Sequence, residues 1–147
     1  MAKFEFDRNE RFVNGQALRR RILGAEYHDA STKQGADDPF MGPLRQLNAE
    51  FVWNAIWGRP GLPEKTRRLI NIAMLAAVNR QPELRTHVRA AHQVGGVTKD
   101  EIMEVLLHTT VYAGVPAGVD AFRTAKAYFD EAEKGGGKKK KKKKGKA

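Results

Sequence analysis

The stretch PELRTHVRAAHQVGGVTKDEIMEVLLHTTVYAGVP, residues 82–116, contains two helices and the signals that bound them. Pro82 is tolerated in a first helical turn, where its missing N–H has no intrahelical partner to lose. Gly95 and Gly96 stop that helix. Thr98-Lys99-Asp100-Glu101 then has capping-box spacing: the Thr98 hydroxyl can accept from a backbone N–H while Glu101 reaches back. The second helix runs to about Ala113, where GVPAG (114–118) breaks it.

The same reading extends outward in both directions. A last helix carries Val119, Phe122 and Phe129 on one face, so residues 82–133 form a run of three helices. Upstream, a helix from about Glu64 holds LINIAMLAAV (69–78). It is apolar nearly all round and therefore expected to be enclosed as the central helix or as a subunit interface. WGRPGLP (57–63) forces a turn before it. Leu44, Leu47, Phe51 and Ala55 recur at three-to-four spacing and predict another helix with that face buried. Residues 25–42 are mixed and polar, with a loop at DDPFMGP (37–43), and residues 9–23 form a first helix stopped by Gly24. Period-two β-branched runs are missing. The expectation is an all-α bundle of about six helices.

The chain of 147 residues has a net charge of +10, but eight lysines (Lys138 to Lys144, and Lys146) stand in GGGKKKKKKKGKA. Removing them leaves +2 for residues 1–137. Residues 1–134 therefore read as one helical domain. Residues 135–147 read as a Gly/Lys tail that cannot bury apolar surface and is expected to be disordered. Lys138–Lys146 would bind nucleic acid or another anionic surface only electrostatically, because no aromatic residue interleaves them. The absence of cysteine excludes disulfides, thiolate chemistry and Cys-type zinc sites. MAKFEFDRNER has no apolar core of a secretory signal, and the longest apolar run falls far short of the roughly 20 residues of a membrane span. A cytoplasmic protein without membrane contact is expected.

At about 100° per residue, Leu84, Val88 and Ala91 centre the apolar stripe of the helix after Pro82. His87 and Glu83 lie together on one border, and His92 lies on the other. On the next helix Ile102, Leu106, Thr109 and Ala113 form the centre, and His108 and Tyr112 share one border with Glu101. Antiparallel packing would let the two polar borders face one cleft, where apolar walls shift pKa values toward proton transfer. Each residue also has a plainer reading. A Glu–His pair at i,i+4 is ordinarily a partly exposed helix pair contributing about 0.2–0.5 kcal/mol. Tyr112 would pack in a core or interface, Trp53 and Trp57 would be packing residues and not ligand platforms, and Arg59, Arg67 and Arg68 would be solvated or pair with carboxylates. The four histidines are not grouped at metal-ligand spacing, and no HExxH, Gly-rich phosphate loop or serine elbow occurs.

Taken together, WNAIWGRPGLPEKTRRL (53–69) and the opening stretch closely resemble the carboxymuconolactone decarboxylase family, over roughly residues 12–132. The resemblance implies an AhpD-like helical fold assembled as a homo-oligomer, a trimer or hexamer. It implies a cofactor-free decarboxylation in aromatic catabolism, on a small dianionic lactone, 4-carboxymuconolactone. The lactone carbonyl, conjugated through a C=C bond, would accept the electrons released with CO2, so the protein must stabilise an oxyanion and protonate a carbon. On that reading His87 is proton donor or oxyanion stabiliser and Glu83 orients it. His108 is the second acid/base group and Tyr112 a hydrogen-bond donor. Arg67 and Arg59 bind carboxylate and Trp53 forms an apolar wall. Peroxidases related to the family use a CxxC pair near the position of His87, and this chain has none. It also departs from the family pattern at AEYHDAS (25–31): His28 stands for a hydrophobic residue and Ala30 for a basic one. Two other readings are a paralogous lyase or isomerase acting on another lactone or keto acid, and a non-enzymatic helical oligomer that binds acidic partners through its tail.

Overall fold

The computed structural model describes residues 3–33 and 38–144, with side chains as far as residue 135. Among the described residues it is all-helical: α1 (Glu10–Leu23), α2 (Ala25–Lys33), α3 (Gly42–Leu47), a π-helix (Asn48–Trp57), α4 (Glu64–Ala77), α5 (Gln81–Gln93), α6 (Lys99–Ala113) and α7 (Val115–Lys144). None of these helices is long and apolar enough to cross a membrane. The chain divides into two compact units, residues 1–67 with 93–96, and residues 68–92 with 97–147.

In the first unit, Asn9 caps α1 by accepting from the Phe12 N–H at 2.9 Å. Gly24, at φ 88°, ends it. The mixed segment that follows is helical: His28 N–H reaches back to the Gly24 carbonyl at 3.0 Å and starts α2, which the polar composition alone does not suggest. The second helix predicted from Leu44 becomes two elements. From Asn48 the hydrogen bonds shift to the i→i+5 pattern of a π-helix, as in Gly58 N–H to Trp53 O at 3.1 Å. The wider turn defeats a 3.6-residue projection. Ala49 and Trp53 face inward, and the predicted buried face of Leu44, Leu47, Phe51 and Ala55 points outward. α1 lies directly on the π-helix backbone at Gly15, where a side chain would run into the carbonyl of Ala49.

The second unit holds the larger core. Ile72 and Ala76 of α4, Leu84, Val88 and Ala91 of α5, Ile102 and Leu106 of α6, and Ala121, Ala125 and Phe129 of α7 form one cluster. The predicted centres of α5 and of most of α6 are thus the buried ones, although Ala113 at the end of α6 is exposed. The capping box closes as expected: Glu101 N–H donates to Thr98 Oγ1 at 3.1 Å, and Thr98 N–H donates to Glu101 Oε2 at 2.9 Å. LINIAMLAAV is only half enclosed within the chain. Ile72 and Ala76 are buried, whereas Ile70, Met74 and Val78 are exposed.

The backbone of α7 continues as helix through residues 135–144, where the composition predicts no order. Binding through Lys138–Lys146 concerns side chains outside the described residues, and residues 34–37 of the polar segment QGADDPFMG also lie outside them.

The Gly15 contact makes a direct prediction. Gly15→Ala forces α1 off the π-helix and should cost more than about 2 kcal/mol, read as a lower urea midpoint at unchanged slope. Gly61→Ala, where an added methyl meets nothing within 4 Å, should leave the midpoint unchanged.

Candidate functional site

α4 places an arginine inside the second unit. Arg68, Ile72 and Ala76 follow one another at i,i+4 on the buried stripe, and Arg68 is only 2% exposed. Three residues on, Asn71 points to α5, its Nδ2 3.2 Å from Nδ1 and 3.3 Å from Nε2 of His87. An amide nitrogen nearly equidistant from the two ring nitrogens can donate to only one lone pair, which requires a neutral imidazole. The electrostatics agree. Burial, then the positive charges of Arg68 and Arg89, lower the His87 pKa from 6.5 to about 4, against an opposing pull from Glu83. His87 is therefore neutral at physiological pH, with one N–H donor and one lone pair at the Asn71 amide.

Glu83 stands one turn before His87, as the spacing predicts, but its hydrogen bond goes elsewhere. Arg80 Nη2 donates to Glu83 Oε1 at 2.7 Å and holds the carboxyl below its ordinary pKa. Oε2 is shut off from solvent and has no hydrogen-bond partner among the described residues. The Glu83 side chain as a whole is half-exposed and ionised, so Oε2 is a candidate acceptor for an incoming N–H or O–H. The cluster thus combines a neutral imidazole, an amide, a buried guanidinium and an ionised carboxylate with an empty acceptor site. It can bind an anion, donate a hydrogen bond to a growing oxyanion and pass a proton.

The other predicted residues have different partners. His108 and Tyr112 meet each other, ring centroids 4.9 Å apart, on an exposed face of α6 where Tyr112 is 80% exposed. Neither has a hydrogen bond or ion pair among the described residues. His92 serves structure, with Nδ1 2.9 Å from Tyr128 OH and its ring edge-on to Phe129. Arg67, in the first unit, donates from Nη2 to the Arg59 carbonyl at 3.0 Å, and its buried Nε has no partner among the described residues. Arg59 is exposed. Trp53 is buried, stacks on Trp57 at 5.6 Å and lines a cavity of the first unit. Among the described residues no three His, Asp or Glu side chains converge as metal ligands.

Sequence reasoning read Arg68 as solvated or paired with a carboxylate, where the fold buries it, and passed over Asn71 and Arg89. A signal for Arg68 exists: projecting α4 from Ile72 and Ala76 puts an arginine in line with them, and a buried arginine is rarely idle.

The His87 shift has a sign that can be measured. Between pH 6.5 and about 4 the unfolded chain binds the His87 proton more readily than the folded one. Stability at this site is complete above pH 6.5 and falls as pH drops toward 4, by at most about 3 kcal/mol. Urea unfolding across that window should show the decline in the wild type, and His87→Gln should flatten it.

The model of the carboxymuconolactone decarboxylase family matches residues 43–127. The chain is 38% identical to 4-carboxymuconolactone decarboxylase of Acinetobacter baylyi over 122 residues, 83% of this chain and 89% of that protein. It is 35% identical to nitrosuccinic acid decarboxylase of Metarhizium robertsii over 125 residues, 84% of this chain and 85% of that one.

Proposed function

The chain belongs to the carboxymuconolactone decarboxylase family and is a carboxy-lyase, and from that premise we propose that it converts 4-carboxymuconolactone to 3-oxoadipate enol-lactone and CO2 in aromatic catabolism. The observation that carries this reading is the neutral His87 beside the buried charge of Arg68. The C–CO2 bond breaks and its electron pair moves through the C=C bond onto the lactone oxygen. The resulting dienolate takes one proton at carbon. A neutral imidazole N–H donates to the growing oxyanion without first giving up a charge, and the fixed positive charges of Arg68 and Arg89 stabilise it in place. A bound dianion would offset the two arginines and raise the His87 pKa. The imidazole then takes a proton from solvent and delivers it to carbon. The empty acceptor of Glu83, Oε2, is suited to receive the imidazole or a water in that step.

Arg67, with its unpartnered Nε, and Arg59 are candidates to hold substrate carboxylate by charge-assisted hydrogen bonds, with Trp53 as an apolar wall. His108 and Tyr112 are a second donor pair. Exposed Ile70, Met74 and Val78 on α4, and Met103, Leu107 and Val111 on α6, support assembly as a homo-oligomer. A second reading is a decarboxylase of another small acid. The His28 and Ala30 departures favour it, as does the similarity to a nitrosuccinic acid decarboxylase.

Loss of ultraviolet absorbance by 4-carboxymuconolactone, without added metal, tests the reaction. His87→Gln should reduce turnover by about a hundredfold or more with the helical content retained, and His108→Gln should reduce it by less than about tenfold. Near-wild-type turnover by His87→Gln would sink the assignment of His87. Absence of turnover in the wild type would favour the second reading.

A further inference from the structure

Among the described residues, Asn79 is the one non-glycine residue at positive φ, 56°. It stands in the turn between α4 and α5, and asparagine tolerates this left-handed region better than most residues. The turn closes α4 with a Schellman motif: Arg80 N–H donates to the Leu75 carbonyl at 2.9 Å and Asn79 N–H to the Ala76 carbonyl at 3.1 Å. The Arg80 carbonyl accepts from Leu84 N–H at 2.8 Å and opens α5. Both backbone groups of Arg80 are thus committed, one to each helix. Gln81 fastens the turn from the side. Its Nε2 donates to Asn79 Oδ1 at 2.7 Å, and Thr124 Oγ1 of α7 donates to its Oε1 at 2.6 Å.

This turn fixes where the Arg80 side chain starts, and that side chain ends on Glu83, Nη2 to Oε1 at 2.7 Å. The pair is exposed, and exposed pairs are weak because two long side chains must be ordered to form them. Anchoring the Arg80 backbone lowers that cost, which gives the left-handed turn a physical use. The charges acting on His87 are Arg68 from α4 and Arg89 and Glu83 from α5, and among the described residues α6 and α7 add none. Of the three, only the Glu83 carboxylate favours a protonated ring. A carboxylate one turn before an imidazole ordinarily pairs with it. Here one of its oxygens is taken by Arg80, and the other, Oε2, has no hydrogen-bond partner among the described residues.

We propose that Arg80 is a positioning residue for the proton chemistry of this unit: by holding Glu83 Oε1 it keeps the carboxylate from pairing with the imidazole, so that His87 rests as a neutral N–H donor. The inference rests on the reading of His87 as the group that handles the proton, and it adds a residue that touches neither the imidazole nor the substrate.

An NMR titration of the histidine ring protons in the full chain, between pH 8 and 4, tests it. The four histidines give four sets of signals, and that of His87 is the set missing from His87→Gln. Arg80→Gln should move the His87 midpoint upward by roughly half a pH unit or more, because Glu83 then pulls on the ring without a competitor. In a Glu83→Gln background the same substitution should move it by less than about 0.2 unit. If Arg80→Gln does not fold, Arg80→Met decides the same point. An unchanged midpoint, a downward shift, or an equal rise in both backgrounds overturns the proposal. The equal rise would mean that the Arg80 charge acts on His87 directly and not through Glu83. No substrate is present in these titrations. Absence of turnover with 4-carboxymuconolactone would therefore overturn the reaction assigned to His87 and leave the Arg80 outcomes intact.

Discussion

Arg68 holds a full positive charge at a position where the α4 stripe otherwise carries Ile72 and Ala76. A guanidinium cannot shed its proton, so the cost of removing it from water cannot be met by titration. The neighbours adjust instead. His87 loses its proton, Asn71 sits at the imidazole, and Glu83 stays ionised one turn away. Burial first, and then the charges of Arg68 and Arg89, hold His87 neutral, while Arg80 keeps Glu83 ionised. An anion entering the cluster meets a field already in place, with little reorganisation of the protein.

The same interplay of charge and burial recurs in the first unit with different means. There the i→i+5 turn of the π-helix brings Ala49 and Trp53 inward and presents Asn48 and Trp53 to the cavity. A regular α-helix through residues 44–57 would have buried Leu47 and Phe51 and filled that face with aliphatic side chains. The close approach at Gly15 holds α1 against this irregular element. π-Helical turns are costly, and they are found most often where a side chain must be aimed at a function.

Much of this was legible in the sequence, and the exceptions have physical causes. α5 and α6 are marked by local chemistry that acts within one turn: Pro82, the Gly95-Gly96 stop and the Thr98–Glu101 box. The Glu83–His87 border was also legible, because i,i+4 geometry needs no tertiary information. The partner of Glu83 was not. Arg80 competes for the carboxylate from before the helix, and a wheel does not show which donor arrives. The π-helix was hidden because a 3.6-residue period was applied to a backbone that abandons it at Asn48. Arg68 was hidden by composition, since arginine reads as solvated unless its position in the apolar stripe is weighed first. His108 and Tyr112 were placed correctly beside each other but on a face that the chain leaves open.

His28 brings these threads together. From the sequence it is a lone imidazole in AEYHDAS, followed two positions on by the small Ala30. In the fold Ala30 is exposed and His28 is buried, fixed at both ring nitrogens in a cavity that already holds Arg8, Arg19 and Arg45. A base missing at residue 30 therefore does not leave this unit short of positive charge. The imidazole of His28 adds a flat hydrogen-bonding ring to the cavity lining. Discrimination between similar acids comes more from such a buried polar group than from a methyl more or less, because a ligand that cannot match it leaves the group unpaired.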